Sequence, residues 1–307
     1  MVKEETVQSP TSGKRAKKPP RSKGDLVFNI VLHFVLTLVS VVMLYPLLYM
    51  LSVSLSSRQY VSEIVLWPKG ITLDAYKYVF QYELTLSGYG NSLLYTVLGT
   101  IISLFLTTCA AYPISKYWLP GRKIIVIFFL ITMYFSGGLI PQYIIIRHVL
   151  GLYNSIFAIV IPGALNTSYV VIMVTFIRSL PEELDEAAYI DGANEVRVLW
   201  SVKLPLLTPI LATLTLFYAV AMWNSWFGPF IYLEDESKYP IQLVLRNLMV
   251  SFSVDTGQVG GINGNDQLDP TSFNYALTVA VILPILVIYP FIQKFFEQGM
   301  MVGSLKG

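Results

Sequence analysis

The chain has 307 residues, of which 54% are hydrophobic and 13% charged, with a formal net charge of +2. A soluble globular domain carries about a quarter charged residues, so this composition argues against one and for a chain embedded in a membrane. The single cysteine, Cys109, excludes an internal disulfide and a cysteine-based zinc site, and its apolar setting reads as packing.

Residues 1–25 are polar and basic (KRAKKPPRSKG at 14–24) and are read as a disordered cytoplasmic tail, a topology signal that also touches anionic lipid. No small-residue cleavage site follows a short apolar core, so no cleavable signal is expected. Six charge-free runs follow, at 26–57, 84–115, 124–146, 149–177, 204–233 and 270–293. Each exceeds the roughly 20 residues that a helix needs to cross the hydrocarbon core. They are apolar all round, whereas barrel strands would alternate. The expectation is an all-α membrane protein with six transmembrane helices. In the third run, Ser136-Gly137-Gly138 and Pro141 predict a break near the outer end.

An even number of spans puts both termini on one side, and the basic residues choose it. With cytoplasmic termini, the inner segments hold the seven Lys/Arg of 1–25 plus Lys116, Arg122, Lys123, Arg178, Arg197, Lys203, Lys294 and Lys306, fifteen in all. The outer segments hold six: Arg58, Lys69, Lys77, Arg147, Lys238 and Arg246. Both termini are therefore placed in the cytoplasm, and the fourth loop, 178–207, with them. The outer loop 231–272 is long, net acidic and glycine-rich at 257–264 (GQVGGING). Gly257, Gly260, Gly261 and Gly264 mark a candidate contact with an external partner, and a plain solvated loop fits equally well.

Several chemistries have no residues to support them. There is no GxxxxGK[ST] phosphate loop, no HExxH and no GxSxG. His33 and His148 stand far apart and read as packing or interfacial residues. No Asp, Glu, Lys or Arg lies deep in a span, which argues against a proton-driven carrier but leaves sodium coupling open. No acid, base and nucleophile converge, so a membrane enzyme is disfavoured.

The stretch EELDEAAYIDG at 182–192 carries five carboxylates in eleven residues, between two apolar runs. Pro181 suits a first helical turn, Glu182 and Glu183 oppose the helix dipole there, and Gly192 supplies a stop. The prediction is a helix of about three turns with a shallow face made by Leu184, Ala187, Ala188 and Asp191. Asn194 caps a second short helix, and Pro205 and Pro209 mark the turn into span five. An amphipathic helix lying on lipid would be basic. This one is acidic, so a protein groove fits better.

Glu186-Ala187-Ala188, Gly192, Val202 and Leu204-Pro205 resemble the EAA signature of bacterial ABC importer permeases, with Val202 where isoleucine is usual. NSLLYTVLGT at 91–100 resembles the start of the permease core. WNSWFGPFIYL at 223–233 and QKFFEQGMMVGSLKG at 293–307 resemble the carbohydrate branch, the maltose-type permeases. GGLIPQYIIIRHVLGLYNS at 137–155 and YPIQLVLRNL at 239–248 resemble the subgroup that imports larger or acidic saccharides.

The resemblance implies a type I ABC importer permease fold, with a first helix and flank at 26–57, a core at 85–297 containing the coupling loop 178–207, and a cytoplasmic tail at 298–307. It implies a non-catalytic subunit in the bacterial cytoplasmic membrane that binds no cofactor and no nucleic acid. The implied partners are a second permease chain, two ATPase subunits that hold ATP and Mg, an extracytoplasmic solute-binding protein and the bilayer. Glu186, Ala187, Ala188, Gly192, Val202, Leu204 and Pro205 would meet the ATPase. A saccharide path calls for aromatic faces and amides, and Asn166, Tyr169, Trp223, Asn224 and Trp226 offer them. An interfacial aromatic belt and helix–helix hydrogen bonds explain the same residues. A permease for another solute such as peptides, or a stand-alone secondary carrier, remain the alternatives.

Overall fold

The computed structural model describes residues 23–61, 66–254 and 269–304. The tail 1–22 and Gly257, Gly260, Gly261 and Gly264 lie outside the described residues. The described chain is helical and contains no strand. It divides into two units, one up to Tyr49 and one from Met50 onward. The described part of the first lies in helix α1 (Lys23–Ser54), apolar on all sides with Pro46 inside it, whose last residues belong to the second. Its Ser40 hydroxyl is satisfied within the helix by the Leu36 carbonyl, at 2.8 Å.

The second unit is organised on α3 (Glu83–Ser115), which follows the short α2 (Asp74–Gln81). At 1.5 Å per residue α3 is about 50 Å long, more than a bilayer core requires. Its buried face is a stripe of small and hydroxyl residues, Gly88, Ser92, Gly99, Ser103 and Thr107, which lets neighbours approach closely. A Cβ on Gly88 would stand 3.2 Å from the Cα of Ile241, so any larger residue would press that backbone away by a few tenths of an ångström. The Ser92 hydroxyl accepts the Ile241 N–H at 2.9 Å, and Thr107 pairs with the Tyr218 hydroxyl at 2.7 Å.

The third apolar run forms α4 (Arg122–Tyr134) and α5 (Leu139–Ile144), the latter running on through a π turn to Val149. The two parts are bent by 111° at the Ser136–Gly138 break the sequence predicts. The fourth run, expected as one helix, is instead split into α6 (Phe157–Val160) and α7 (Thr167–Ser179). Pro162 and Gly163 interrupt it, and the Asn166 side chain restarts it by accepting the Ser168 N–H at 2.9 Å.

Beyond the loop, which comprises α8 (Glu183–Ile190), α9 (Glu195–Arg197) and α10 (Leu204–Leu206), the chain continues as α11 (Thr208–Trp223) and α12 (Phe227–Tyr232). The expected outer loop 231–272 is in part helical: α13 (Ile241–Val254) buries Ile241, Leu243 and Val244 almost completely. Their apolar spacing outweighs the flanking charges. The last helix is α14 (Pro270–Ser304). By length and composition three helices can cross a membrane alone, or up to five spans form if each bent pair counts as one. The runs are apolar as expected, but fewer than six are single helices.

Two cores hold the unit together. One joins α3, α7 and α11 through Ala111, Met173, Leu207, Leu214 and Tyr218. The other joins α2, α13, α14 and the end of α11 through Val79, Ile241, Phe273, Leu277 and Trp223.

Candidate functional site

The loop 178–207 is stopped, capped and anchored at each joint. Helix α8 has eight residues and begins at Glu183, so it has a little over two turns rather than three, and Pro181 precedes it. It ends at Gly192, whose φ of +78° is the left-handed conformation that favours glycine. There the Ala193 N–H donates to the Ala188 carbonyl at 2.9 Å and the Gly192 N–H to Tyr189 at 3.0 Å. This is the paired bonding of a Schellman stop. Asn194 then caps α9 by accepting the Arg197 N–H at 2.9 Å. A π segment, Val198–Lys203, carries the chain to Leu204, Pro205 and α10. The helical stretch Glu195–Leu206 meets α11 at a bend of 81°.

Glu186 and Ala187 are exposed on α8, Ala188 is half-buried, and Val202 and Leu204 are half-buried where the loop meets the bundle. The outward surface also carries large apolar groups. Ile190 is 86% exposed, and Val196 and Trp200 are exposed too.

Beneath the loop lies a polar anchor that sequence reasoning missed. Lys116 Nζ, just past the end of α3, is 2.8 Å from one oxygen of Asp185, and Lys203 Nζ is 2.9 Å from the other. The Tyr112 and Tyr189 hydroxyls each donate to Glu195, both at 2.6 Å. Burial draws the Lys116 ammonium down, but its hydrogen bonds to Asp185 and Tyr189 more than offset this and hold it above the ordinary lysine value. Burial first, then the Glu195 carboxylate, pushes the Tyr189 phenol up. Arg178 reaches back to the Ser115 and Ile114 carbonyls at 3.1 and 3.0 Å, completing the C-terminal turn of α3. Of these, Ser115, Lys116, Arg178, Asp185, Tyr189 and Lys203 border a cleft of about 240 Å³. The available signal was positional: Lys116 closes an apolar run, and Lys203 stands between Val202 and Leu204.

The five residues proposed for a solute path fall in three places. Asn166 uses its side chain as the α7 cap, and its own N–H meets the Tyr218 hydroxyl at 3.3 Å. Tyr169 packs edge-on against the same Tyr218, with ring centres 4.8 Å apart. Trp223 is only 9% exposed, and its indole N–H donates to the Val281 carbonyl at 3.3 Å. Asn224 and Trp226 lie in the exposed break between α11 and α12. There the Asn224 amide oxygen accepts from Gln242 at 3.2 Å, and the Arg246 guanidinium lies 4.8 Å over the Trp226 ring. Arg246 is also 4.4 Å over Phe230. Gln242 and Arg246 were not expected at the site. They are one turn apart on α13, and that spacing within QLVLRNL was the sequence signal for a shared polar face.

Long apolar helices, two of them bent pairs, mark the chain as an integral membrane protein. Residues 85–302 match the family described as binding-protein-dependent transport system inner membrane component. The chain is 38% identical over 288 residues to Protein LplC of Bacillus subtilis (strain 168), covering 93% of this chain and 97% of LplC. It is 33% identical over 283 residues to the polygalacturonan/rhamnogalacturonan transport system permease protein YtcP of the same strain, covering 92% and 99%. The crystal structure of a bacterial ABC transporter involved in the import of the acidic polysaccharide alginate contains a chain 34% identical to this one. It matches with a TM-score of 0.84 over 91% of this chain and all of that one. The chain therefore belongs to the binding-protein-dependent inner membrane component family and has the type I ABC permease fold.

Proposed function

We propose that this chain is a permease subunit of an ATP-driven importer that passes saccharides from an extracytoplasmic binding protein to the cytoplasm. The observation that carries this is the loop 178–207, an exposed two-helix device locked to the ends of α3, α7 and α11, in a chain similar along nearly its whole length to saccharide permeases. The loop has the form of a part gripped from outside. Purification of the chain from its native membrane should bring two ATP-binding subunits with it, and a preparation that transports without them would sink the proposal.

In this reading both termini are cytoplasmic and six crossings are made, the fourth by α6 and α7 together. Helix α7 alone is about 20 Å long, short of the hydrocarbon core, so α6 and the 161–166 turn must complete it. The subunit sits in the bacterial cytoplasmic membrane beside a second permease chain and performs no catalysis of its own. ATP and Mg act on the partner subunits. Their closure moves Glu186, Ala187, Ala188 and Gly192, and the motion passes through Val202, Leu204 and Pro205 into α11. A state change of this kind requires differential affinity, which ATPase docking supplies. Asn224 and Trp226 border the path. Asn166, Tyr169 and Trp223 line or brace it. Gly257, Gly260, Gly261 and Gly264 meet the binding protein.

A further inference from the structure

Arg246 is a cation that the transport machinery above leaves unused. It sits on α13, half-buried, where that helix faces the α11–α12 break. Its guanidinium lies 4.8 Å from the Trp226 ring centre and 4.4 Å from that of Phe230, and the two rings, 6.5 Å apart, flank it on adjacent sides. The hydrogen bond it makes, to the Asn247 amide at 3.5 Å, is long. Among the described residues no carboxylate pairs with it, whereas Lys77, Lys116, Lys203 and Lys238 are each paired and Arg122, Arg147 and Arg178 bond to carbonyl or phenol oxygens. A guanidinium held against aromatic rings with one long hydrogen bond keeps N–H donors for a ligand, and their fork geometry matches a carboxylate. A cation held without a counter-ion in a membrane protein is a functional candidate.

The surroundings suit a sugar ring around that charge. Trp226 and Phe230 are 38% and 48% exposed and offer stacking faces. Gln242 lies one turn from Arg246, and its amide reaches Asn224 at 3.2 Å, so two amides stand beside the cation with donors and acceptors to spare. The helix breaks at 224–226, where the Asn224 and Ser225 N–H groups still bond to Val220 and Met222, and irregular backbone of this kind is tolerated in membrane proteins where it is buried in protein or lines a cavity. With the orientation proposed above, the cluster lies in the extracytoplasmic half, where an arriving solute is met first.

We propose that Arg246, stacked on Trp226 and Phe230 beside Asn224 and Gln242, reads a carboxylate on the transported solute, so that this permease selects acidic, uronate-containing oligosaccharides over neutral ones. The proposal rests on the saccharide reading and narrows it.

The test uses the complete importer, both permeases with both ATPases, in lipid nanodiscs without the binding protein, so that selectivity belongs to the membrane part. The probes are tetramers of galacturonate and of mannuronate, each compared with its methyl ester, which keeps size and removes charge. Equilibrium dialysis measures affinity, and indole fluorescence reports on Trp226. The wild type should bind at least one uronate about tenfold or more tightly than its ester, and added salt should weaken the uronate alone. Arg246→Gln should abolish the preference while ester affinity and assembly by size-exclusion stay unchanged, which separates a lost contact from a lost fold. Arg246→Lys should retain part of the preference. Equal binding of acid and ester by the wild type, or a preference surviving in Arg246→Gln, overturns the carboxylate assignment and leaves the saccharide reading intact. A wild type that binds neither acids nor esters overturns the saccharide reading, and this proposal with it.

Discussion

The loop 178–207 and the break at 224–226 lie at opposite ends of α11, and they treat charge in opposite ways. Under the loop, Lys116 and Lys203 share Asp185, with side chains 10%, 2% and 14% exposed. At the break, Arg246 rests on two aromatic rings and has no carboxylate partner among the described residues. A buried charge stripped of its partner is strongly destabilising, so the first arrangement fixes geometry. The second leaves donors available. Under the proposals above, the first is the part that transmits force without deforming and the second the part that receives a ligand.

The comparison can be broken at several points. The largest effect is expected at Gly192→Val. A β-branched residue cannot hold φ of +78° without strain, so the Schellman stop is lost. Uptake should fall by more than about tenfold, by the strain expected of a misplaced backbone, while ATP hydrolysis continues and the chain still inserts. Normal uptake in that variant would show that the loop does not couple. Next, Asp185→Asn leaves two lysine ammonium groups facing an amide. The assembled complex should lose about 3 kcal/mol, read as a lower unfolding temperature, and a change near zero would mean the anchor is dispensable.

Smaller effects sharpen the contrast. Tyr112→Phe removes the 2.6 Å donation to Glu195 and should cost about 1.5 kcal/mol in the same unfolding assay. Ser92→Ala removes the hydroxyl that accepts the Ile241 N–H and should cost about 1 kcal/mol. It should also loosen α13 and so lower solute affinity without affecting basal ATP hydrolysis. Titration should have the least effect. The raised Lys116 value means that its ion pair is fully formed below the ordinary lysine value of 10.5 and is lost only as pH rises past the raised one. Coupling measured across neutral pH should therefore show no lysine titration.

The loop was largely readable in the sequence because its signals are local: Pro181, Gly192, Asn194 and Pro205 each act on neighbours within a turn. Its length was overestimated by a turn because a proline suits either the first helical position or the residue before it. The anchor was not readable. Lys116 and Asp185 are 69 residues apart, and only the packing of α3 against the loop brings them together. The charge-free runs located the apolar segments but not their breaks, since a run has the same composition whether Pro162 and Gly163 bend it or not. Helix α13 escaped because Lys238 and Arg246 interrupt its stretch, and counting charge-free residues passes over a short helix. The same count hid Arg246, whose meaning comes from Trp226 and Phe230, far from it in sequence.

The central claim is that α8 is where the ATPase grips this chain, and cysteine crosslinking tests it most directly. With exposed Cys109 replaced by serine, single cysteines at Ala187 and at Ile190, the 86%-exposed position on α8, would be oxidised in the assembled importer. The account predicts crosslinks from both positions to an ATP-binding subunit, with yields that change when ATP is bound. Absence of crosslinks at both, in an importer that still transports, would contradict it.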